Sequence, residues 1–235
     1  MLILSQNDIE VIGESLLSDY KKRSANGDKL PFDIDAFARN YLKLDIRHKK
    51  LSDYGKILGL TTYKDVELEL EFKSGNEFIT VPEDTILLEE RLQSFDSRRR
   101  ERFTVAHECA HQVIARMDEK QTGSSYRKEL ISCGKYSCRQ LKTAEDWSEW
   151  QANSLGAVLL MPRKWIFADM NVGFKPFRPT LYGRQFNSLD YQRIKSMSDR
   201  FSVSITAMIV RITELGLIVK KPENDYYDPL YIGYG

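Results

Sequence analysis

Cysteine is scarce in this sequence, and its scarcity limits the kinds of fold that the chain can adopt. Cys109, Cys133 and Cys138 are the only three cysteines in 235 residues. An odd number at this low density argues against a disulfide framework and favours a reducing compartment. Cys133 and Cys138 lie close together in the chain, and two unlinked thiols explain the pair at least as well as a redox or metal clip.

Long apolar runs and net charge are also missing. Met1–Leu4 is apolar, but the polar segment 5–8 follows too soon for a signal-peptide core, and no later run reaches the roughly 20 residues that span a bilayer. The 35 Lys and Arg residues balance 34 Asp and Glu residues, which leaves a net charge of +1. We therefore expect a cytoplasmic protein with no membrane partner, in which binding of a polyanion would need a local basic patch.

Two hydrophobic periodicities along the chain predict an α+β fold. Apolar residues at three- and four-residue steps predict helices over 8–23, 33–41, 98–117 and 145–160, and two short helices joined by a turn within 191–215. Asp8 is the predicted cap of the first helix. A small antiparallel sheet is predicted from β-prone segments at 44–46, 56–63, 66–72 and 77–81. Between these elements we expect a long insertion at 118–143 and a connector at 171–190.

The helix predicted over 98–117 contains the sequence His107-Glu108-Cys109-Ala110-His111, an H-E-x-x-H motif. Residues four apart lie on one face of a helix, so both imidazoles can reach one metal ion, and the glutamate comes along as a base. Two surface histidines are the alternative interpretation. The largely apolar surroundings of this helix disfavour it, because unpartnered histidines beside a buried face are costly. Cys109 lies about 200° around the helix from His107 and is expected in the core.

A catalytic zinc site needs a third protein ligand and an open position for water. Glu149 is the candidate, on the helix predicted over 145–160, and Asn153 shares its face one turn later. Asn153 is expected to orient a histidine ring or the Glu149 carboxylate from outside the ligand set. Spacing alone does not choose among the acids of this helix. Glu145 and Asp146 are rival ligands, although first-turn acids are more typical as partners of the helix dipole.

Three ordered blocks carry a resemblance to a known family. They are Arg102-Phe103-Thr104-Val105-Ala106-His107-Glu108, then Glu149-Trp150-Gln151-Ala152-Asn153, then Leu159-Leu160-Met161-Pro162. They resemble the ImmA/IrrE family of metallopeptidases, whose pattern is R-F-T-x-A-H-E, E-x-x-A-N and L-L-M-P in that order. The likeness covers roughly residues 75–215. The usual L-G between the catalytic Glu and the second His is Cys109-Ala110 here, and alanine keeps that position small.

The resemblance implies a fold and a division of roles. His107, His111 and Glu149 match the family's zinc ligands, and Glu108 matches its catalytic glutamate. The implied architecture is a zincin-like, thermolysin-type metallopeptidase domain at 1–172, a C-terminal helical region of helix-turn-helix type at 173–220 and a tail at 221–235. The family is associated with cleaving repressors of mobile elements or stress responses, so the expected substrate is a cytoplasmic helix-turn-helix repressor.

The expected reaction is peptide-bond hydrolysis, in which Glu108 takes a proton from a zinc-activated water and passes it to the leaving amine. The sequence does not identify a further donor for the oxyanion, and Tyr126, Tyr136, Arg178 and Tyr182 are more typical of surface residues. We expect the insertion to cover the cleft and keep basal turnover low. His48 is expected to be an exposed side chain far from the motif.

Two other functional classes stay open. One is a module that sequesters a repressor without cutting it, which needs no base at Glu108. The other is a DNA-binding regulator, which needs a basic surface at 191–215. In that segment four basic side chains are largely offset by acids, which disfavours direct nucleic-acid binding and favours docking of a protein. The basic run at 98–100 is expected to be a solvated helix start.

Overall fold

The computed structural model describes residues 2–24, 29–53, 55–122, 143–174 and 178–230, with 119–122 as backbone only. Most of the predicted insertion, including Cys133 and Cys138 and its proposed role as a cover, lies outside these residues, as do Tyr126 and Tyr136. The chain forms two compact units, Met1–Leu160 and Met161–Gly235. The first unit ends before the domain boundary expected at residue 172, which stays a prediction.

The helices of the first unit lie close to the predicted positions. They are α1 (Gln6–Arg23), α2 (Ile34–Ala36), which continues as a π-helical turn over Phe37–Tyr41, α3 (Arg98–Thr122) and α4 (Ala144–Leu160). Asp8 was predicted as the cap of α1, but the cap is Ser5. Asp8 is its partner in a capping box, in which each side chain bonds the backbone N–H of the other residue.

The described part of the first unit also contains five strands: β1 (Asp45–Lys49), β2 (Gly59–Thr62), β3 (Val66–Phe72), β4 (Gly75–Val81) and β5 (Thr85–Glu89). The α+β class is confirmed, but the prediction of one antiparallel sheet is wrong. β3 and β4 form a separate antiparallel hairpin, while the other strands form a mixed sheet in the order β1-β5-β2, with β1 parallel to β5. β5 escaped prediction because all five of its residues are buried, which removes the alternating pattern of a half-exposed strand.

The two faces of the mixed sheet pack against different elements. Leu60 of β2 and Leu87 of β5 lie in an apolar cluster with Leu70 and Val81 of the hairpin. On β2, Gly59 and Thr61 alternate with Leu60 and therefore face the other side, where they meet α3. The sheet thus lies between the hairpin and the helix that carries the H-E-x-x-H motif.

Helix α4 is held on the side of α3 by its own packing against α1 and the N-terminal residues. The Gly13 position of α1 comes so close to α4 that a Cβ there would lie 2.3 Å from a methyl carbon of Val158. The buried Gln151 amide accepts a hydrogen bond from the N–H of Leu4 at 2.6 Å and donates to the carbonyl of Leu2 at 3.3 Å. These contacts fix α4 along its length.

The second unit contains more regular structure than the sequence predicted. Its elements are α5 (Arg163–Gly173), β6 (Thr180–Tyr182), β7 (Gln185–Phe186), α6 (Ser188–Phe201), α7 (Ile205–Glu214) and β8 (Val219–Lys221). The connector expected at 171–190 therefore includes a hairpin. The two helices within 191–215 are confirmed, with Ser202 left-handed at φ 52° and Ser204 capping α7. In the described part of the chain, no helix combines the length and the apolar character that crossing a membrane requires.

Candidate metal centre

Three buried side chains from α3 and α4 converge on one point. The Nε2 atoms of His107 and His111, one turn apart on α3, lie 3.1 Å from each other. Glu149 of α4 places Oε2 3.4 Å from Nε2 of His107 and Oε1 3.2 Å from Nε2 of His111. A ligand atom from each residue lies within 4.8 Å of the other two. The structure thus brings together the three residues that the sequence nominated as ligands, in a group that can hold a metal ion.

The chemistry of this group suits a cation. Both oxygens of Glu149 are buried, and among the described residues neither is in hydrogen-bonding geometry with a donor, despite the nearby imidazoles. A buried carboxylate without hydrogen bonds is costly, and a coordinated cation removes that cost. Two imidazoles and one carboxylate form a ligand set of catalytic zinc sites, in which the fourth position stays open.

Asn153 lies against the outer side of the His107 ring. Its Oδ1 is 3.1 Å from Nδ1 of His107, on α4 one turn after Glu149. When Nδ1 carries the proton and donates to this oxygen, the lone pair of Nε2 points toward Glu149 and is available to a metal. Asn153 therefore occupies the position expected of a residue that fixes the tautomer and the orientation of a ligand.

The surrounding side chains favour a negative charge on the Glu149 carboxylate. Burial alone opposes ionisation of Glu149, but the adjacent His107 and His111 rings outweigh it and hold the pKa of Glu149 well below its usual range. Burial also opposes protonation of His107, yet Glu149 and Glu108 raise the pKa of this imidazole overall. The surroundings of Glu149 thus favour the anionic form, which is the form that binds a metal.

Glu108 directly follows His107 on α3 but is not one of the three grouped side chains. It is 2% exposed, and its carboxylate lies beside the backbone of Gly59 in β2. Burial raises the pKa of Glu108, with the nearby His107 and His111 acting in the opposite direction. A carboxyl group with a raised pKa, next to a candidate metal site but outside its ligand group, is suited to accept and release a proton.

The close approach of α3 and α4 depends on a residue that the sequence analysis missed. A Cβ at Gly156 would lie 3.2 Å from backbone atoms of Ala106 and His107. Glycine at this position lets α4 pack directly on the backbone of the motif, which brings Glu149 within reach of both histidines. The signal in the sequence was a glycine inside a strongly predicted helix, which usually has a packing reason.

The remaining candidates divide into confirmed and corrected predictions. Cys109 is fully buried, as expected, and burial raises the pKa of its thiol far above the usual range. At the start of α4, the Asp146 carboxylate accepts from the N–H of Thr143 and the Thr143 hydroxyl accepts from the N–H of Asp146, which confirms the interpretation of Asp146 as a first-turn acid. His48 is not an exposed side chain, because it pairs with Glu101 of α3 at 2.7 Å and is half-buried.

Two of the donors considered for the oxyanion, Arg178 and Tyr182, have other contacts within the second unit. Tyr182 was expected at the surface but is buried, with its ring edge-on to that of Tyr226. Arg178 is exposed and donates to the carbonyl of Gly216 at 3.0 Å. Neither observation gives these residues a part in the chemistry.

Comparison of the chain with protein-family models gives no match, and comparison with curated protein sequences gives no significant match. The interpretation of the site therefore depends on the geometry of the chain itself. That geometry provides a buried group of two histidines and one carboxylate with metal-binding dimensions. The identity of the ion and the reaction are matters of proposal.

Proposed function

We propose that this protein is a zinc-dependent endopeptidase. The observation that carries the proposal is the convergence of the buried Glu149 carboxylate on His107 and His111, where neither oxygen is in hydrogen-bonding geometry with a donor among the described residues. Imidazole and carboxylate ligands in this ratio favour zinc, and Glu108 provides the base that a hydrolase of this type needs. The zincin-like character of the core is part of the same proposal.

Each residue has a distinct task in the proposed reaction. His107, His111 and Glu149 would hold the zinc, which when bound polarises the peptide carbonyl and makes a water molecule more acidic. Glu108 takes the proton from the attacking water on its carboxylate. The same carboxyl group then delivers this proton to the leaving amine nitrogen. Asn153 keeps His107 in the tautomer that leaves Nε2 free.

The proposed substrate is a cytoplasmic transcriptional repressor of the helix-turn-helix class. Support for it comes from the ordered resemblance of residues 102–108, 149–153 and 159–162 to the ImmA/IrrE pattern. The geometry of the site is compatible with any peptide bond that can reach it. The substrate is therefore proposed at the level of protein class, and the test below uses the repressor encoded beside the gene.

The experiment compares the wild-type protein with Glu108→Gln, both loaded with zinc and incubated with that repressor. The wild type should release a defined fragment, and the variant should bind zinc and repressor equally but cleave about 10²–10⁴-fold more slowly, because it has lost the general base. Glutamine keeps the size and burial of the side chain. Binding without cleavage by the wild type would instead show a sequestering module, and salt-sensitive binding of a DNA duplex by the full chain would favour a DNA-binding regulator.

A further inference from the structure

Strand β2 begins at Gly59, whose backbone lies directly against the side chain of Glu108. A Cβ at this position would lie 2.6 Å from Cγ2 of Thr104, 3.1 Å from Oε1 of Glu108 and 3.3 Å from Cγ of Glu108. Gly59 does not have a positive φ, so the strand backbone itself accepts other residues. Glycine is needed here for space, and that space is occupied by the proposed catalytic base.

The other side of this contact is also fixed. The hydroxyl of Thr104 donates to the carbonyl of Arg100 at 3.0 Å, one turn earlier on α3. This bond sets the rotamer of Thr104 and therefore the direction in which its methyl group faces β2. Thr104 and Glu108 lie four residues apart on the same helix face, so both meet the strand at the same point.

The buried side chain of Gln112 ties β2 to α3 a short distance along the strand. Its Nε2 donates to Oγ1 of Thr61 and to the carbonyl of Thr62, both at 2.8 Å. Both hydrogens of this amide are therefore donated in hydrogen bonds, as is usual for a buried polar group. Thr61 is two residues from Gly59, and Gln112 directly follows His111. One side chain thus couples the strand to the turn of α3 that carries the second histidine.

We propose that Gly59 and Gln112 are positioning residues for Glu108, and this inference rests on the proposed function. Gln112 holds β2 at a fixed distance from α3, and the missing side chain at Gly59 gives the Glu108 carboxylate its place between strand and helix. Neither residue touches the substrate. Their effect acts through the position of the base, where a misplacement of about 1 Å costs on the order of 10²-fold in rate.

The test is Gly59→Ala in the full-length, zinc-loaded protein, studied by crystallography and by cleavage of the repressor. We expect the Glu108 carboxylate to be displaced while His107, His111 and Glu149 keep their positions and zinc stays stoichiometric. We expect kcat to fall by about 10–10²-fold with KM unchanged. Gly173→Ala is the matched control, because a Cβ there meets nothing within 4 Å, and it should behave as wild type.

A double variant separates positioning from general destabilisation. Thr104→Ser removes the methyl group nearest to the added Cβ but keeps the hydroxyl that bonds Arg100. Combined with Gly59→Ala, it should return the Glu108 carboxylate toward its wild-type position and restore part of kcat. A loss of stability without a change in the base would not respond in this way. Thr104→Ser alone is the second single variant of this double-mutant cycle, which measures the coupling between positions 59 and 104.

Two results would overturn the inference: an unmoved Glu108 carboxylate in crystals of Gly59→Ala, or a kcat of that variant within about twofold of wild type. If Gly59→Ala does not fold, Gln112→Met decides instead, since it keeps the shape but loses both donors; β2 and Glu108 should then shift together, and unshifted positions refute the inference. Absence of cleavage by the wild type would count against the proposed function alone, because the crystallographic position of Glu108 is read without turnover.

Discussion

Two buried carboxylates, one in each unit, have nearly equal exposure and very different surroundings. Asp190, near the start of α6, is 7% exposed, and its Oδ2 accepts hydrogen bonds from the N–H of Thr180 at 2.8 Å and from Nδ2 of Asn187 at 3.2 Å. Glu149 is 6% exposed, and among the described residues neither of its oxygens is in hydrogen-bonding geometry with a donor. Burial alone therefore does not mark a functional acid.

The difference shows what each carboxylate is for. Asp190 joins the start of α6 to β6, so the chain itself satisfies it, as expected of a structural group. Glu149 faces two imidazole nitrogens that are themselves metal ligands by preference. The enclosed Glu149 carboxylate, facing two imidazoles, is thus compatible with a bound metal ion.

The largest expected effect comes from exchanging each acid for its amide. With zinc at about 1,000 times its Kd, the wild type should gain about 4 kcal/mol of stability, because zinc binds only the folded site. Glu149→Gln should lose most of this gain. Asp190→Asn should lower stability in the absence of zinc by about 1–3 kcal/mol, because hydrogen bonds to a buried charge are lost, and should keep the zinc-dependent gain.

Thermal unfolding with and without zinc measures both variants. The comparison between the two acids breaks if Glu149→Gln keeps the zinc-dependent gain, or if Asp190→Asn loses it. Retention of the gain by Glu149→Gln would mean that zinc binds elsewhere. Loss of the gain in Asp190→Asn would mean that zinc binding depends on Asp190.

A smaller effect is expected from Asn153→Ala. This change leaves the three ligand side chains in place but removes the acceptor for Nδ1 of His107. Loss of such an outer partner typically lowers metal affinity by about 10–100-fold. Competition with a chromophoric chelator measures the affinity, and Asn153→Asp is the matched control, since its carboxylate can still accept the same hydrogen bond. Equal zinc affinity of Asn153→Ala and wild type would show that Asn153 does not contribute to metal binding.

The smallest effect is expected from a comparison of two acids on the same helix, Asp146 and Glu149 of α4. Asp146, one turn before Glu149 on α4, exchanges hydrogen bonds with Thr143 and is thus a satisfied acid. Thr143→Ala should cost about 1 kcal/mol through loss of the helix cap. Zinc affinity should stay at the wild-type value, as measured by the same chelator competition. A parallel loss of zinc affinity would show that Asp146 belongs to the metal centre after all.

The sequence predicted the candidate metal ligands better than the residues that position them. The H-E-x-x-H spacing is visible because helical periodicity places residues on a known face. Glu149 was singled out among the acids of its helix by the resemblance to the ImmA/IrrE pattern. Gly59, Gly156 and Gln112 were missed because their importance arises from contacts between elements distant in the chain, which periodicity does not encode. A glycine within a helix or strand predicts a close approach, but not the partner that approaches.

The fold was predicted in class and not in detail for a related reason. Four segments gave strands, yet β5, the central strand of the mixed sheet, was missed because it is buried on both faces. Its parallel pairing with β1 could not be inferred without it. The short strands β6 and β8 likewise depend on each other across about 40 residues. Local pattern therefore identified the helices of the first unit, the helix pair within 191–215 and four strands, whereas pairing between distant segments was accessible only from the structure.

Anomalous diffraction at the zinc edge, from crystals of the zinc-loaded protein, tests the central claim most directly. The account predicts a zinc peak about 2.0–2.1 Å from Nε2 of both His107 and His111, with an oxygen of Glu149 at about 2.0–2.2 Å. A fully loaded crystal in which zinc lies elsewhere, or in which Glu149 turns away from the ion, would contradict it.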